Sequence, residues 1–439
     1  MRTISTLPNN DRHNGWSALL PERKPNPVLQ HAHDADYLIV GAGFAGLAAA
    51  RRLAELRPND TIVLLEAEQV GEGAQGRNSG FVIGAPHQAR GGRLEIEQAR
   101  KHLQLSQRAI EYLQTQVETH GIDCDWRQEG CFHTAASDRG AQSVLSPRRA
   151  LLEALDIPFE WLEGAALQER VGFDYYKTGL YTPSTILLNP SALTRGLADS
   201  LPANVHLFEY SPVLSMDLSN DIRVRTPAGS VHAKKLLLAV NGFIEQFGFY
   251  RGRLMHFAAH ASLTEPMNDR QQAALTGQKS WGIIPVNALV GTTLRRTTDQ
   301  RLLIRQHVDY VPSLRIDDEG KEAVAQRHED LLHQRFPMLS DLSIEHTWTG
   351  LVCMSRNSAS GFGMLAPNVY GAVCHNGIGI TTGTVGGLLA ADLACGEHSE
   401  HLDFMLQLES PASLLPQPFL GAGVRSRLAW EKWRRRAES

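Results

Sequence analysis

The sequence has few cysteines, no long apolar segment and almost no net charge, and each shortage excludes a class of protein. The five cysteines are odd in number and form no C-x-x-C pair, so we expect reduced, mostly buried thiols in a cytoplasmic protein and no metal site. No apolar run approaches the roughly 20 residues that cross a bilayer. The first twelve residues lack the apolar core of a signal peptide. With 43 basic and 47 acidic residues, the net charge of −4 provides no general attraction to nucleic acid.

The chain has 439 residues, of which 42% are hydrophobic, as in globular proteins. This length exceeds that of one ordinary hydrophobic core, so two domains are expected. We find no internal repeat and no low-complexity tract.

One early stretch combines five features in a meaningful order. An apolar run at 37–40 predicts a buried strand, and the residues at 41–46 read Gly-Ala-Gly-Phe-Ala-Gly. Strong helix formers follow at 48–56, then a second apolar run at 61–65 that ends on Glu66. This order predicts a strand, a glycine turn, a helix and a second strand, which is the dinucleotide-binding unit.

The spacing of this unit assigns a role to each group. The glycines permit a tight turn, a close approach to a pyrophosphate and close packing of helix on strand. Glu66 lies twenty residues beyond Gly46, where a carboxylate accepts the ribose hydroxyls, and an acid at this position disfavours NADP. The cofactor-binding residues expected here are Gly41, Ala42, Gly43, Phe44, Ala45, Gly46, Glu66 and Ala67.

The next segment distinguishes FAD from NAD. Residues 71–80 read Gly-Glu-Gly-Ala-Gln-Gly-Arg-Asn-Ser-Gly, which resembles the G-x-G-A-S-G-R-N-x-G segment of the D-amino-acid oxidase superfamily of flavoproteins, with Gln75 in place of the usual serine. The resemblance implies that this segment runs past the pyrophosphate toward the flavin ring. Arg77 either approaches the ring or fixes the backbone. The implied FAD-binding residues are Gly73, Ala74, Gly76, Arg77, Asn78 and Ser79.

Two later blocks resemble the segments with which this family returns to the cofactor. The apolar run at 235–240, followed by Asn241-Gly242, is similar to the returning strand, and the block at 371–384 is similar to the glycine-rich segment that meets the flavin pyrimidine edge. A helix N-terminus aimed at that edge would stabilise the negative charge of reduced flavin. The resemblance adds these FAD-binding residues: Val213, Ala239, Asn241, Gly377, Ile378, Gly379, Ile380 and Thr381.

These blocks predict a discontinuous fold of α/β plus α+β class. A Rossmann-like FAD-binding domain of the glutathione-reductase type is expected at 34–95, 186–250 and 345–400. An inserted antiparallel-sheet substrate domain is expected at 96–185 and 251–344, with a long amphipathic helix from Ile96 leading into it. An N-terminal arm at 1–33 and a C-terminal tail at 401–439 complete the chain.

The residues that contact the substrate are less clearly indicated. Arg356 could pair with a substrate carboxylate bidentately or serve structure alone. His375 borders the flavin block, and Arg296 and His87 are weaker pocket candidates; we take His375, Arg356 and Arg296 as the candidate catalytic residues. Cys353 stands in a Val-Cys-Met setting similar to the strand whose cysteine bonds flavin covalently in monomeric sarcosine oxidase, although non-covalent FAD is favoured.

The tail combines tryptophans with arginines from Phe419 onward. A basic amphipathic helix can lie on an anionic membrane and pass electrons to quinone. We favour instead packing on the protein itself through Trp430 and Trp433.

The resemblance implies an oxidoreductase that transfers hydride from an amine or amino acid to flavin N5, giving an imine, with O2 or quinone as the electron acceptor. A cyclic imino acid such as L-pipecolate is the first substrate expected, and a γ-glutamyl-polyamine or another amine is the alternative. Aromatic hydroxylation is disfavoured because flavoproteins with that activity usually place a Gly-Asp pair near the ring, and no aspartate occurs at 371–387. A non-catalytic flavin-binding protein is the alternative of another class.

Overall fold

A computed structural model describes residues 1–11, 13–84, 93–219, 221–287, 290–316, 320–434 and 436–438. The strands are β1 Arg2–Thr3, β2 His31–Val40, β3 Ile62–Leu65, β4 Phe81–Val82, β5 Cys131–Ala135, β6 Glu160–Glu163, β7 Thr178–Thr182, β8 Ile186–Leu187, β9 Val205–Phe208, β10 Ser215–Asp217, β11 Ile222–Arg225, β12 Gly229–Leu238, β13 Leu254–Thr264, β14 Trp281–Pro285, β15 Thr293–Arg296, β16 Leu302–Tyr310, β17 Ile344–Ser355, β18 Gly361–Ala366 and β19 Val369–Val373.

The helices are α1 Gly15–Ala18, α2 Phe44–Leu56, α3 Arg93–His120, α4 Asp138–Gly140, α5 Ser146–Ala154, α6 Ala165–Val171, α7 Pro190–Asp199, α8 Asp269–Ala274, α9 Lys321–Arg335, α10 Gly379–Cys395, α11 Glu400–Gln407 and α12 Phe419–Arg434. A π-helical turn spans Ala141–Leu145, and 3-10 turns span Asn241–Glu245, Pro337–Leu339 and Arg436–Glu438.

The first sheet has a parallel centre in which β19, β12, β2, β3 and β9 lie side by side. Its strands are apolar on both faces, as buried parallel strands are. Ile39 faces the core beneath α2 and α10, whereas Leu38 faces the core on the other side of the sheet. This doubly covered sheet is the predicted Rossmann-like unit, and it brings the ends of β2 and β12 together.

An antiparallel extension continues this sheet. β10 and β11 form a meander with the first half of β12, and β1 adds to its edge through the pairing of Arg2 with Met216. The N-terminal arm is therefore anchored to the first sheet at its start.

The second sheet has the order β17-β13-β16-β15-β14-β5-β7-β6 and is antiparallel except for the β14–β5 pair. This is the predicted inserted antiparallel sheet. The sequence placed residues from 345 onward in the cofactor domain, but β17 pairs with β13 along its whole length, from Leu254 opposite Ser355 to Thr264 opposite Ile344. The chain therefore returns to the first sheet only after Ser355.

Helix α3 also departs from its predicted place. The sequence assigned it to the substrate domain, but Leu105 and Ala109 pack against Val385 and Leu389 of α10, and Leu113 enters the core of the first sheet. The apolar stripe of α3 was correctly recognised, yet such a stripe does not say which surface it covers.

The tail helix α12 packs on the second sheet through Leu428, which lies among Phe257, Val290 and Val308. The expectation that the tryptophans make this contact is wrong, because Trp433 is 65% exposed and Trp430 is 40% exposed. Arg427 and Arg434 stack on the Trp430 ring at the surface instead. Among the described helices, none is long and apolar enough to cross a membrane.

Candidate cofactor and substrate site

The early glycine turn is sterically closed to side chains. Gly41 has a φ of +101°, and a Cβ there would lie 2.7 Å from the Ala239 carbonyl oxygen. A Cβ on Gly46 would lie 1.8 Å from the Gly41 oxygen. The turn thus lets α2 begin directly at the end of β2, next to the end of β12.

Glu66 stands at the end of β3, beside this turn. Its Oε2 accepts a hydrogen bond of 2.8 Å from the Ala42 N–H, and burial raises the pKa of its carboxyl group. The Glu66 carbonyl accepts a 2.8 Å hydrogen bond from the Ser211 N–H, which brings the loop containing buried Val213 alongside. Glu66, Ala67 and Val213 therefore lie together, as residues that hold the adenosine half of a dinucleotide must.

The segment from Gly73 to Ser79 forms a compact run of turns. The Gly76 N–H donates to the Gly73 carbonyl at 3.1 Å, and the Arg77 N–H donates to that of Ala74 at 3.4 Å. The Asn78 side chain closes the run, donating to the Gln75 carbonyl and accepting from the Gly80 N–H. Ser79 is half-buried beside it.

Arg77 fixes the backbone of this segment. Its side chain is 1% exposed and forms an ion pair with Asp11, which is fully buried. The guanidinium also donates to the carbonyls of Glu72, His13 and Thr349, at 2.6, 3.0 and 3.2 Å. This geometry gives Arg77 the backbone-fixing role of the two that the sequence allowed.

The late block makes a tight turn and then a long helix. After β19, Cys374, Asn376 and Gly377 all have positive φ angles, of 57°, 51° and 84°. Asn241 links this turn to the end of β12, because its Oδ1 accepts a 3.2 Å hydrogen bond from the Cys374 N–H. Helix α10 follows from Gly379, with Ile378 at its N-cap and Ile380 and Thr381 in its first turn.

The start of α2 packs against the second and third turns of α10. A Cβ on Gly383 would lie 3.5 Å from the Phe44 Cβ, and one on Gly387 would lie 2.0 Å from the Ala45 oxygen. Neither helix has a side-chain cap: α2 has Gly43 at its N-cap and α10 has Ile378. Each helix of this length presents free N–H groups and a positive dipole end.

This pair of helix starts fits FAD. The pyrophosphate carries negative charge that suits the α2 N-terminus, and reduced flavin carries negative charge that suits the α10 N-terminus. A Cβ on Gly43 would have only the Gln75 side chain near it, at 3.9 Å, so the backbone there is open to a phosphate, whereas Gly41 and Gly46 serve the turn and its packing.

His375 is placed at the start of α10. Its imidazole lies beside Gly383, and burial lowers its pKa to about 4. Its Nδ1 is buried and finds no partner in the part of the chain that the structure describes. The ring is therefore neutral at physiological pH, and its Nδ1 can form one hydrogen bond with a ligand.

The two candidate arginines lie elsewhere. Arg356 is exposed on the turn that follows β17, next to the turn at 374–377. Arg296 is buried, but its guanidinium donates to the Leu275 and Gln278 carbonyls and to Gln300 Oε1. Arg296 therefore holds a loop together, and His87 lies outside the described residues.

Cys353 lies in the core beneath the first sheet, with Cys374, Leu254 and Ile244. The neighbouring Cys374 thiol and burial raise the pKa of Cys353 well above its usual value. A protonated thiol is a poor nucleophile, which agrees with non-covalent FAD. All five cysteines are free.

Two features of the site escaped the sequence reasoning. Asp11 is an unremarkable acid in a polar arm, yet it holds Arg77, accepts a 2.9 Å hydrogen bond from the Thr349 N–H and lies 3.2 Å from Lys321 Nζ. Trp16 donates to the Asn78 carbonyl at 2.7 Å. Neither contact has a local sequence signal, because each partner lies at least 60 positions away.

The comparisons agree with this geometry. The profile of the DAO family, described as FAD dependent oxidoreductase, matches residues 36–393. The chain is 27% identical to gamma-glutamylputrescine oxidoreductase of Escherichia coli over 405 residues, 90% of this chain and 91% of that protein. It is 26% identical to probable oxidoreductase OrdL of Haemophilus influenzae, with 88% of each chain covered.

Among solved structures, glycine oxidase of Geobacillus kaustophilus superposes with a TM-score of 0.70 at 19% identity, covering 84% of this chain and 96% of that one. L-proline dehydrogenase of P. horikoshii superposes with a TM-score of 0.67 at 16% identity, covering 85% and 96%. These two similarities establish the shared fold.

Proposed function

Since this chain belongs to the DAO family of FAD-dependent oxidoreductases, which act on amines and amino acids, we propose that it oxidises a secondary amine or amino acid at the carbon next to nitrogen. The observation that carries this proposal is the pair of uncapped helix starts at Phe44 and Gly379, on two helices that pack together, with Glu66 beside the first of them. When bound, FAD supplies the acceptor for the substrate's hydride.

The protein's own residues support this chemistry by binding and orientation. The glycine turn and Glu66 would hold the two ends of the ADP half, and the N-terminus of α10 would stabilise negative charge on the reduced ring. As the carbon loses hydride, the nitrogen lone pair forms the C=N bond of an imine. Water then hydrolyses the imine.

His375 suits a neutral amine. The substrate nitrogen must be unprotonated to supply its lone pair. A positive charge nearby would favour the unprotonated amine, but His375 supplies none, because burial lowers the pKa of its imidazole to about 4. The role of His375 is therefore to hold the neutral amine through one hydrogen bond.

Two substrate classes are proposed. The segment at 71–80 supports a cyclic imino acid such as L-pipecolate, by its resemblance to the oxidases of that substrate. The Escherichia coli relative, whose name specifies gamma-glutamylputrescine, supports a γ-glutamyl amine. We test L-pipecolate first. We further propose O2 or quinone as the acceptor and a cytoplasmic location, the latter supported by five free cysteines.

An anaerobic panel tests the proposal. The FAD-loaded protein is mixed with L-pipecolate, L-proline, sarcosine, glycine, putrescine and γ-glutamylputrescine, and the oxidised flavin absorbance is followed. Loss of that absorbance with at least one amine is expected, and peroxide formed on admitting air identifies O2 as acceptor. If no amine reduces the flavin while dithionite does, the protein binds flavin without this catalysis.

A further inference from the structure

Helix α12 turns its large aromatic side chains away from the protein. Phe419 is 68% exposed, Trp433 is 65% exposed and Trp430 is 40% exposed. Together with Gly423 and Ser426 these residues recur in steps of four, three, four and three, so they share one face of the helix. A Cβ on Gly423 would meet nothing within 4 Å, so this face is open. We call it the outer stripe.

The opposite face of α12 attaches the helix to the second sheet. Its buried residues are Gly421, Leu428 and Glu431, of which Leu428 alone has a large apolar side chain. A surface helix ordinarily turns its apolar stripe toward the core and its polar residues toward water. In α12 the aromatic rings lie on the solvent side instead, so packing within the protein does not account for them.

The helix is held at both ends, so the outer stripe keeps its direction. Just before α12, the Gln417 side chain donates a 2.9 Å hydrogen bond to the Tyr310 hydroxyl. Beyond it, the Glu438 carboxylate accepts hydrogen bonds from the N–H groups of Ala136 and Ser137, at 2.7 and 3.2 Å. The stripe is therefore a constant part of the protein surface rather than one face of a loose tail.

Basic side chains border the outer stripe. The segment at 419–438 contains six basic and two acidic residues, in a chain whose net charge is −4. Both acids are buried and hydrogen-bonded within the protein, and Arg427 forms an ion pair with one of them. Arg427 and Arg434 stack on the Trp430 ring, at 4.5 and 4.8 Å, and Lys432 is exposed. The result is an aromatic surface with a positive border.

This combination matches the chemistry of an anionic membrane surface. A tryptophan ring sits well among lipid headgroups, with its apolar body in the bilayer boundary and its N–H toward water. A basic side chain near anionic headgroups strengthens binding by about 5-fold. The rings lie in one line along the helix, which suits a flat surface into which the helix settles lengthwise. A protein partner would more often receive such rings in separate pockets.

We propose that the outer stripe of α12 docks the protein on a membrane surface that contains anionic lipid. Phe419, Trp430 and Trp433 enter the headgroup region, and the bordering arginines and lysine lie against the lipid phosphates. The contact is a peripheral one, made by the side chains on one face of one helix. It does not depend on the proposed oxidation, since no residue of the cofactor site takes part in it.

Co-sedimentation with lipid vesicles tests the proposal. The FAD-loaded, full-length protein is mixed with vesicles of phosphatidylcholine alone, or of phosphatidylcholine with one quarter phosphatidylglycerol. The pelleted fraction gives the apparent dissociation constant for lipid. The wild type should bind the anionic vesicles at least about 10-fold more tightly than the neutral ones. High salt should weaken this binding, because it screens the basic side chains.

One pair of variants tests the aromatic residues. Trp430→Ala combined with Trp433→Ala should weaken binding to anionic vesicles at least about 10-fold, because the apolar area available for insertion is lost. The matched control is Met364→Ala combined with Leu406→Ala, which removes two apolar side chains that are 65% and 47% exposed outside α12. This control should bind as the wild type does.

A second pair of variants tests the charges. Arg434→Gln combined with Arg436→Gln should weaken binding to anionic vesicles about 10- to 30-fold and leave binding to neutral vesicles nearly unchanged. Arg223→Gln combined with Arg225→Gln removes two exposed arginines of β11 and is the matched control. It should bind as the wild type does.

The outcomes decide the proposal in either direction. Wild-type protein that stays in the supernatant with anionic vesicles overturns it, and so does a Trp430→Ala, Trp433→Ala protein that pellets as the wild type does. If that variant fails to fold, quenching of wild-type tryptophan fluorescence by brominated lipid in anionic vesicles is expected, and its absence overturns the proposal.

A second copy of the chain is the competing occupant. A dimer in analytical ultracentrifugation that is lost in Trp430→Ala, Trp433→Ala, without vesicle binding by the wild type, would assign the stripe to self-association and overturn the membrane proposal. The amine panel has no bearing on these results, so the proposed function and the docking surface fail independently.

Discussion

Replacing Asp11 by alanine is expected to loosen the flavin segment from the rest of the protein. Asp11 is the fully buried partner of Arg77, and it also holds the Thr349 N–H and pairs with Lys321. It therefore joins the N-terminal arm, the segment that runs toward the flavin and β17 of the second sheet. Without it, the buried Arg77 guanidinium loses its buried carboxylate partner, and the Thr349 N–H loses its side-chain acceptor.

The magnitude follows from what remains buried. Removing one partner of a buried ion pair typically costs about 3–5 kcal/mol, because the other charge stays desolvated. The Arg77 side chain is 1% exposed and retains carbonyl acceptors at Glu72, His13 and Thr349, which offset part of that loss. We therefore expect about 3 kcal/mol of lost stability, and weaker FAD binding because the segment is no longer held in place.

Urea unfolding and FAD dissociation constants measure both effects. Asp34→Ala is the matched control, since Asp34 is exposed and its contact with His232 at the surface contributes at most about 1 kcal/mol. Adding Arg77→Met to Asp11→Ala should recover part of the loss, because it removes a buried guanidinium whose remaining carboxylate partner is Glu72 at 3.6 Å. An Asp11→Ala protein as stable as Asp34→Ala, with unchanged FAD affinity, would refute the reasoning.

Four further outcomes are expected. Glu66→Ala should raise the FAD dissociation constant about 10- to 100-fold, measured by the fluorescence of released flavin, and an unchanged constant would exclude Glu66 as a ligand. Gly46→Ala should abolish FAD binding because its methyl group would lie 1.8 Å from a backbone oxygen, whereas Gly423→Ala, with nothing within 4 Å, should bind FAD normally. Burial lowers the pKa of His328 to about 3, so below pH 6.5 the unfolded chain binds a proton that the folded chain does not. The free energy of unfolding should therefore fall by about 2 kcal/mol at about pH 5. The urea midpoint should fall less between neutral and acid pH in His328→Gln than in the wild type, and an equal fall would contradict this. Acid precipitation should leave the yellow colour in the supernatant, whereas colour in the pellet would point to a bond at Cys353.

The cofactor unit could be predicted from the sequence because its signals are local. A tight turn and a helix start need glycine at particular positions, and the acid at the end of β3 follows at a fixed distance. The start of α7 has a local signal of the same kind, because Asn189 directly precedes Pro190 and its side chain accepts hydrogen bonds from the N–H groups of Ser191 and Ala192.

The remaining features depend on which strands pair and which faces pack together, and the local sequence does not reveal these tertiary contacts. The alternation of apolar residues in β17 identifies a strand, but only its pairing with β13 shows that it belongs to the second sheet. Arg356 was a candidate because a guanidinium can pair with a carboxylate, and the structure leaves it exposed.

The central claim is that one FAD is held by the N-termini of α2 and α10, two helices that pack against each other. Titration of the apoprotein with FAD, followed by flavin absorbance and fluorescence, tests it most directly. We predict saturation at one FAD per chain, with binding that survives gel filtration and is lost in Gly46→Ala. Protein that elutes colourless from gel filtration after the titration would contradict the claim. So would Gly46→Ala protein that binds FAD as the wild type does.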